Sequence, residues 1–207
     1  MSNDIVAMRH PRLYVIRHGE TAWSLSGRHT GRTDLPLTAR GQEGARVLGQ
    51  HLRNIQLTLV LSSPLQRARR TCELATPEAV AEIEPDLAEW DYGDYEGRHS
   101  ADIRKARPGW SVFRDGCPGG EMPDQISGRA DRLIARLGAT EGNVALFTHG
   151  QFACVLAARW IGLPVAEGAH FSLGTASLSI LGDNPDHPEV RVMALWNFAP
   201  GSASGES

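Results

Sequence analysis

Short apolar runs alternate with amphipathic stretches along most of this chain. Leu13-Tyr14-Val15-Ile16, Leu57-Thr58-Leu59-Val60-Leu61 and Asn143-Val144-Ala145-Leu146-Phe147 are apolar on nearly every consecutive position. That is the pattern of strands buried on both faces. Between them the apolar positions recur every three or four residues. Ala45, Leu48 and Leu52 share one face of a helix expected over Ala39 to Arg53, opened by Thr38. Ile126, Ala130, Leu133 and Leu137 do the same for Pro123 to Leu137, and a further helix is expected over Phe152 to Ile161. Ser63 as cap, Pro64 in the first turn and Gln66 as the returning half of a capping box predict a helix from Leu65 to Ala75. Ala79 to Ile83 reads as a third strand, and Ser100 to Arg107 as a short helix stopped by Pro108. Ala176 to Leu181 and Val190 to Leu195 alternate around Gly182-Asp183-Asn184-Pro185, as an antiparallel pair at a sheet edge would.

Strands alternating with helices imply an α/β fold, a three-layer α/β/α sandwich with a mostly parallel central sheet and an antiparallel edge strand. One domain over residues 1–200 is expected, with the small polar residues 201–207 as a disordered tail. Trp23 to Leu37 and the Gly/Pro-rich stretch Pro108 to Pro123 read as long loops, the second as a lid or substrate loop.

Composition narrows the function classes. The 207 residues carry a net charge of −3, which argues against a nucleic-acid partner. Residues 1–12 hold no apolar signal-peptide core, and no run reaches membrane-spanning length, so a cytoplasmic location away from membranes is the expectation. Cys72, Cys117 and Cys154 are too far apart for a zinc site and odd in number, and Cys72 and Cys154 fall in helical patterns as packing residues. The sequence leaves a homo-oligomer open, because the edge strand near Val190 could pair with a second copy.

Chemistry gathers where the strands end. The first run stops at Arg17-His18-Gly19, the second at Ser62-Ser63 and the fourth at Thr148-His149-Gly150. In an open α/β sheet these carboxyl ends surround the ligand crevice. Arg17 offers a planar cationic fork for an oxyanion. His18 can serve as base, nucleophile or metal ligand. Arg67 enters from the first turn of its helix. Glu89 to Gly97 packs four carboxylates and three aromatics into nine residues, so aromatic walls are expected to desolvate one carboxyl group and raise its pKa. No Walker-type Gly-Lys-Ser/Thr loop, no Cys-x5-Arg signature and no Asp/His metal cluster is present. What remains is a cationic pocket with a nucleophile candidate, suited to phosphoryl transfer through histidine.

The segments Arg17-His18-Gly19-Glu20-Thr21, Thr30 to Thr38, Ser62 to Ala68, Glu89 with Gly93 and Glu96-Gly97, Gly120-Glu121 and Thr148-His149-Gly150 together resemble the histidine phosphatase superfamily, in its phosphoglycerate mutase-like branch. The stretches Trp23 to Gly27, Ala88 to Gly97 and Arg114 to Glu121 look most like small bacterial acid phosphatases and sedoheptulose-1,7-bisphosphatase. The resemblance implies His18 as covalent nucleophile, Glu89 as proton donor and acceptor, and Arg17, Arg67 and His149 as holders of the phosphoryl group. It further implies Thr30 and Gly31 at the substrate entrance through backbone N–H groups, Gly150 beside the phosphate, and neither metal nor cofactor. Arg28 and Trp110, with His29, Arg114 and Glu121, are candidates for the specificity wall. Arg28, Arg98 and Arg104 could meet the second phosphate of a sugar bisphosphate. The partner would be a small phosphate ester. The alternatives are a cofactor-dependent phosphoglycerate mutase, which would need a cationic insertion that the short segment after Gly97 lacks, and a catalytically silent relative.

Overall fold

A computed structural model describes residues 10–200; the expected disordered tail at 201–207 lies outside the described residues. Six strands form one sheet: β1 (Arg12–Arg17), β2 (Leu57–Ser62), β3 (Glu82–Ile83), β4 (Asn143–Thr148), β5 (Leu178–Asp183) and β6 (Arg191–Phe198), in the order β3-β2-β4-β1-β5-β6. The first four strands in that order run parallel, and β5 and β6 close the far edge antiparallel. The expected architecture is therefore the observed one.

Alternation along the strands divides the core into two layers. Leu13, Val15, Leu61, Val144 and Leu146 face one cluster, which includes Ile126, Ala130, Leu133 and Leu137 from α6 (Pro123–Leu137) and most of α7 (Gly150–Trp160). Tyr14, Ile16, Val60, Ala145 and Phe147 face the other, under α2 (Ala39–Leu52) and α3 (Gln66–Ala75). Burying each such Leu, Ile or Phe contributes roughly 1.5–3 kcal/mol, so the period of two along β1 and β4 fixes which residues can face which layer.

Four local expectations are corrected. Strand β3 is only Glu82–Ile83, since Ala79 and Ala81 pack as partly buried residues outside it. The helix after β2 starts at Gln66 rather than under a Ser63 capping box. Its first N–H donates to Asp34 Oδ1 at 2.8 Å, while Ser63 Oγ accepts the Leu65 N–H at 3.3 Å and faces a histidine. Residues 108–123 are no open lid. They follow α4 (Ser100–Ala106), contain α5 (Val112–Asp115) and bury Trp110, Phe113 and Cys117 in the main core. The loop after β1 likewise begins with a short helix, α1 (Ala22–Ser26), capped reciprocally by Thr21 and Ser24.

Candidate active site

Strand register assembles the site. Arg17 pairs with Thr148 and Ser62 with Phe147, so His18, Ser63 and His149 emerge side by side at one sheet edge. Backbone bonds continue the ladder past the strands, from His18 N–H to Thr148 O and from Ser63 N–H to Phe147 O, both 2.9 Å. A cavity of about 220 Å³ opens there, lined by Arg17, His18, Ser24, Arg28, His29, Thr30, Glu89, Tyr92, Ser100 and Gln151.

His18 is buried, and its Nδ1 lies 2.7 Å from the carbonyl oxygen of Gly19. A carbonyl can only accept, so Nδ1 carries the proton and Nε2 keeps its lone pair. Burial, reinforced by the charges of Arg67 and Arg17, holds its pKa well below the usual histidine value, which keeps the ring neutral. Gly19 is needed for close approach, not for a turn conformation. A Cβ there would strike the backbone carbonyl of Gly41, in the first turn of α2. The Gly19 N–H donates to Thr71 Oγ1 at 2.9 Å, and Thr71 donates back to Arg67 O one turn earlier in α3.

Arg67 is fully buried, and most of its fork is already engaged. Nη2 donates to Thr30 O and Gly31 O, Nη1 to Thr33 O, and Nε to His149 Nδ1 at 3.1 Å. Its expected role on the phosphoryl oxygens narrows to one remaining Nη1 hydrogen and its charge, because the loop carbonyls take the rest. His149, also buried, has its Nε2 at 2.7 Å from Ser63 Oγ, so both of its nitrogens are spent within the protein. Its ring meets that of His18 edge to face, and burial plus the Arg67 charge hold its pKa well below the histidine norm.

Arg17 presents the opposite case. Nη1 donates to Leu173 O, while Nε is buried without a hydrogen-bond partner. An orphaned cationic N–H beside a neutral imidazole is a place for an oxyanion. Gly150 lets this guanidinium lie close, since a Cβ there would sit 3.2 Å from Arg17 Nε. Burial draws the pKa of Arg17 and of Arg67 below the usual arginine value, and Glu89 gives the largest opposing effect.

Glu89 is not simply boxed by aromatics as expected. Its Oε1 accepts from the N–H groups of Trp90 and Phe152, both 2.9 Å, and Oε2 from Gln151 at 3.1 Å. Two of these donors belong to the first turn of α7, where a negative side chain is favoured. Tyr92, almost fully buried on the cavity wall, has its pKa pushed well above 10 by burial and by Glu89, so it remains a phenol that can donate.

The remaining sequence candidates separate. Arg28, His29 and Thr30 line the cavity. The Gly31 N–H, expected to meet substrate, donates instead to the carboxylate of Glu96, which also takes the N–H of Thr33. Trp110 lies behind the wall, its Nε1 on Gly116 O and its ring against His29 and Tyr95. Arg114 pairs with Asp115, and Glu121 pairs with Arg129, away from the cavity wall. Sequence reasoning missed Ser24, Tyr92, Ser100 and Gln151 as cavity residues. Gln151 was the most accessible of them, since it directly follows His149-Gly150 at a helix start. Among the described residues, no group of three or more His, Cys, Asp or Glu side chains is placed to hold a metal, and no helix is long and apolar enough to cross a membrane.

Known proteins resemble this chain over most of its length. The chain is 39% identical to an acid phosphatase of Mycobacterium tuberculosis, over 97% of this chain and all of that one. It is 38% identical to the sedoheptulose 1,7-bisphosphatase of Saccharomyces cerevisiae, over 76% of this chain and 70% of the relative. The probable phosphoglycerate mutase GpmB of Salmonella choleraesuis is 32% identical, over 81% and 83%. A solved structure of a Mycobacterium tuberculosis open reading frame superposes with a TM-score of 0.86 at 40% identity, covering 93% of this chain and 100% of that one. The family model for the histidine phosphatase superfamily (branch 1) matches residues 13–195, and the chain belongs to that superfamily.

Proposed function

We propose that this protein is a metal-independent phosphatase that hydrolyses monoesters of small phosphorylated metabolites through a phosphohistidine on His18. The observation that carries the reading is the Nδ1–H bond of His18 to Gly19 O, which leaves a neutral Nε2 lone pair beside the unpartnered Arg17 Nε. In the first step Nε2 forms a bond to phosphorus while the ester P–O bond breaks, and Glu89 delivers a proton to the leaving oxygen. Each carboxyl oxygen has two lone pairs, so Glu89 can carry that proton while its three N–H contacts stay in place. In the second step Glu89 takes a proton from water as the water oxygen bonds to phosphorus and the N–P bond breaks. The loose transition state asks chiefly for positioned positive charge, which Arg17 supplies directly and Arg67 from behind.

Hydrolysis is favoured over the mutase reading by the segment after Gly97. The mutase reading asks for a cationic insertion there, yet Arg104 donates to Trp110 O, Arg98 lies over the Tyr95 ring and Lys105 pairs with Asp102. The acid phosphatase and bisphosphatase relatives point the same way. A silent relative is disfavoured because His18, Glu89 and both arginines are intact. A single domain over 1–200 and a cytoplasmic setting belong to the same proposal, the latter supported by three buried free cysteines.

The test is hydrolysis of p-nitrophenyl phosphate in EDTA, with quenching in alkaline detergent to trap an acid-labile, alkali-stable phosphoenzyme. Turnover with a phosphoenzyme in the native protein, and neither in His18→Ala, is expected. Undiminished turnover in His18→Ala would overturn the reading. Interconversion of phosphoglycerates dependent on 2,3-bisphosphoglycerate, without phosphate release, would establish the mutase instead.

A further inference from the structure

The guanidinium of Arg129, on α6, has all five of its N–H groups engaged. Nε and Nη2 donate to the two carboxylate oxygens of Glu121 at 2.7 and 2.9 Å. Nη1 donates to Asp86 O and Ala88 O at 2.6 and 3.0 Å, and the second Nη2 hydrogen to Glu89 O at 3.3 Å. Glu121 fastens the other end of the same segment. Its Oε2 accepts from the Asp91 N–H, its own N–H donates to Asp91 O, and its carbonyl accepts from Trp90 Nε1, each at 2.9 Å. Residues 88–91 belong to no strand or helix, so these side chains stand in for a ladder. The Arg129 guanidinium also lies 4.8 Å from the centroid of the Phe152 ring, and the Phe152 N–H holds Glu89 Oε1.

We infer that Arg129 and Glu121 form a positioning pair that sets the placement of Glu89 as proton donor, an inference that rests on the proposed phosphatase reading. Both side chains are largely buried, and a buried ion pair adds little stability over apolar residues of the same size. What it supplies is geometry. Proton transfer requires the carboxyl group within hydrogen-bond reach of the leaving oxygen, and a shift of about 1 Å costs on the order of a hundredfold in rate. Neither residue lines the cavity of His18, and both line a neighbouring cavity whose wall includes Glu89, so the pair reaches the reaction through the segment it holds.

The experiment compares kcat/KM for p-nitrophenyl phosphate, whose phenolate leaves with little help, and for glycerol phosphate, whose alkoxide needs a proton. Glu89→Gln sets the reference and should lose about 10-fold or more beyond its aryl loss on the alkyl ester. Glu121→Gln and Arg129→Lys are expected to show the same selective loss. Lysine keeps the charge but cannot reproduce a five-donor fork. Equal losses on both esters, as partial unfolding would give, or no loss on either, would overturn the inference. Should Arg129→Lys fail to fold, Glu121→Gln, which preserves shape, carries the test alone. If Glu89→Gln itself fails to discriminate the esters, the acid assignment falls and this inference with it. A selective loss in Glu89→Gln alone refutes only the positioning pair.

Discussion

Arg67 Nε donates to His149 Nδ1 at 3.1 Å, and this bond fixes the tautomer of a histidine that does not itself line the cavity. A guanidinium has no acceptor, so Nδ1 must offer its lone pair and the ring proton must sit on Nε2, facing Ser63 Oγ. His18 is fixed the other way round, with its proton on Nδ1. The two rings, 5.1 Å apart between centroids, therefore hold opposite tautomers, each imposed by a partner that cannot reverse its role.

Ser63→Ala removes the acceptor from the His149 Nε2–H in a fully buried setting. Leaving such a donor unsatisfied costs about 1–3 kcal/mol. Urea unfolding at neutral pH should register that loss with an unchanged m-value. Stability equal to the native protein would refute the bond between His149 and Ser63.

Acid should weaken the fold through its neutral histidines. Burial, then the charges of His99 and Arg104, lowers the pKa of His29 from 6.5 to about 4. The unfolded chain takes up a proton as pH falls below about 6.5 while the folded chain refuses it down to about 4. Stability is thus full above the upper value and declines through that window. His18 and His149 add to the same trend. In His29→Phe, which keeps a ring against Tyr92, the loss between pH 7 and pH 5 should shrink by about 2 kcal/mol. An identical pH dependence would count against a depressed pKa at His29.

Strand ends, α2, α6 and the convergence of His18, Glu89 and His149 at one sheet edge were legible because periodicity and residue type carry their own signal. The engagement of Arg67 was not. Its partners are the carbonyls of Thr30, Gly31 and Thr33, which every residue possesses and no pattern advertises. The start of α3 was misread for a related reason. Its cap is Asp34, 32 positions back in sequence, while the local Ser63 had a buried histidine to serve. Residues 108–123 had the composition of a loop, yet Trp110, Phe113 and Cys117 are core residues held in irregular backbone.

Gly19 and Gly41 interleave, each lacking the Cβ that would strike the backbone of the other's segment. Gly19→Ala should push α2 from the loop that carries His18, costing about 1–3 kcal/mol and most of the turnover. Gly128→Ala offers the contrast. It sits inside α6, where an added Cβ would meet only the Arg132 side chain at 3.8 Å, and gains about 0.5–1 kcal/mol of helix propensity. Thermal melts of the two variants should move in opposite directions. A Gly19→Ala protein with native melting and turnover would refute the close-approach argument.

Arg28 is the one remaining candidate for a second phosphate. Of the three arginines proposed from sequence, Arg98 and Arg104 are turned to Tyr95 and Trp110, whereas Arg28 is exposed on the cavity wall with Trp23 5.9 Å away. The cavity that it shares with Arg17, His18 and Glu89 is otherwise walled by neutral polar side chains, among them Ser24, Ser100, Tyr92 and Gln151, with His29 uncharged above about pH 4. Such a wall suits a polyhydroxylated leaving group with one distal anion. A hydrogen bond to a charged group contributes about 1.5–3 kcal/mol, so Arg28→Gln should lower kcat/KM about 10- to 100-fold on a sugar bisphosphate. The matching monophosphate and p-nitrophenyl phosphate should change little. Because Arg28 is exposed, the native preference for the bisphosphate should also fall as salt rises from 0.01 M to 1 M, where the screening length drops from about 30 Å to about 3 Å. Equal losses on the mono- and bisphosphate, or a preference indifferent to salt, would remove Arg28 from substrate selection.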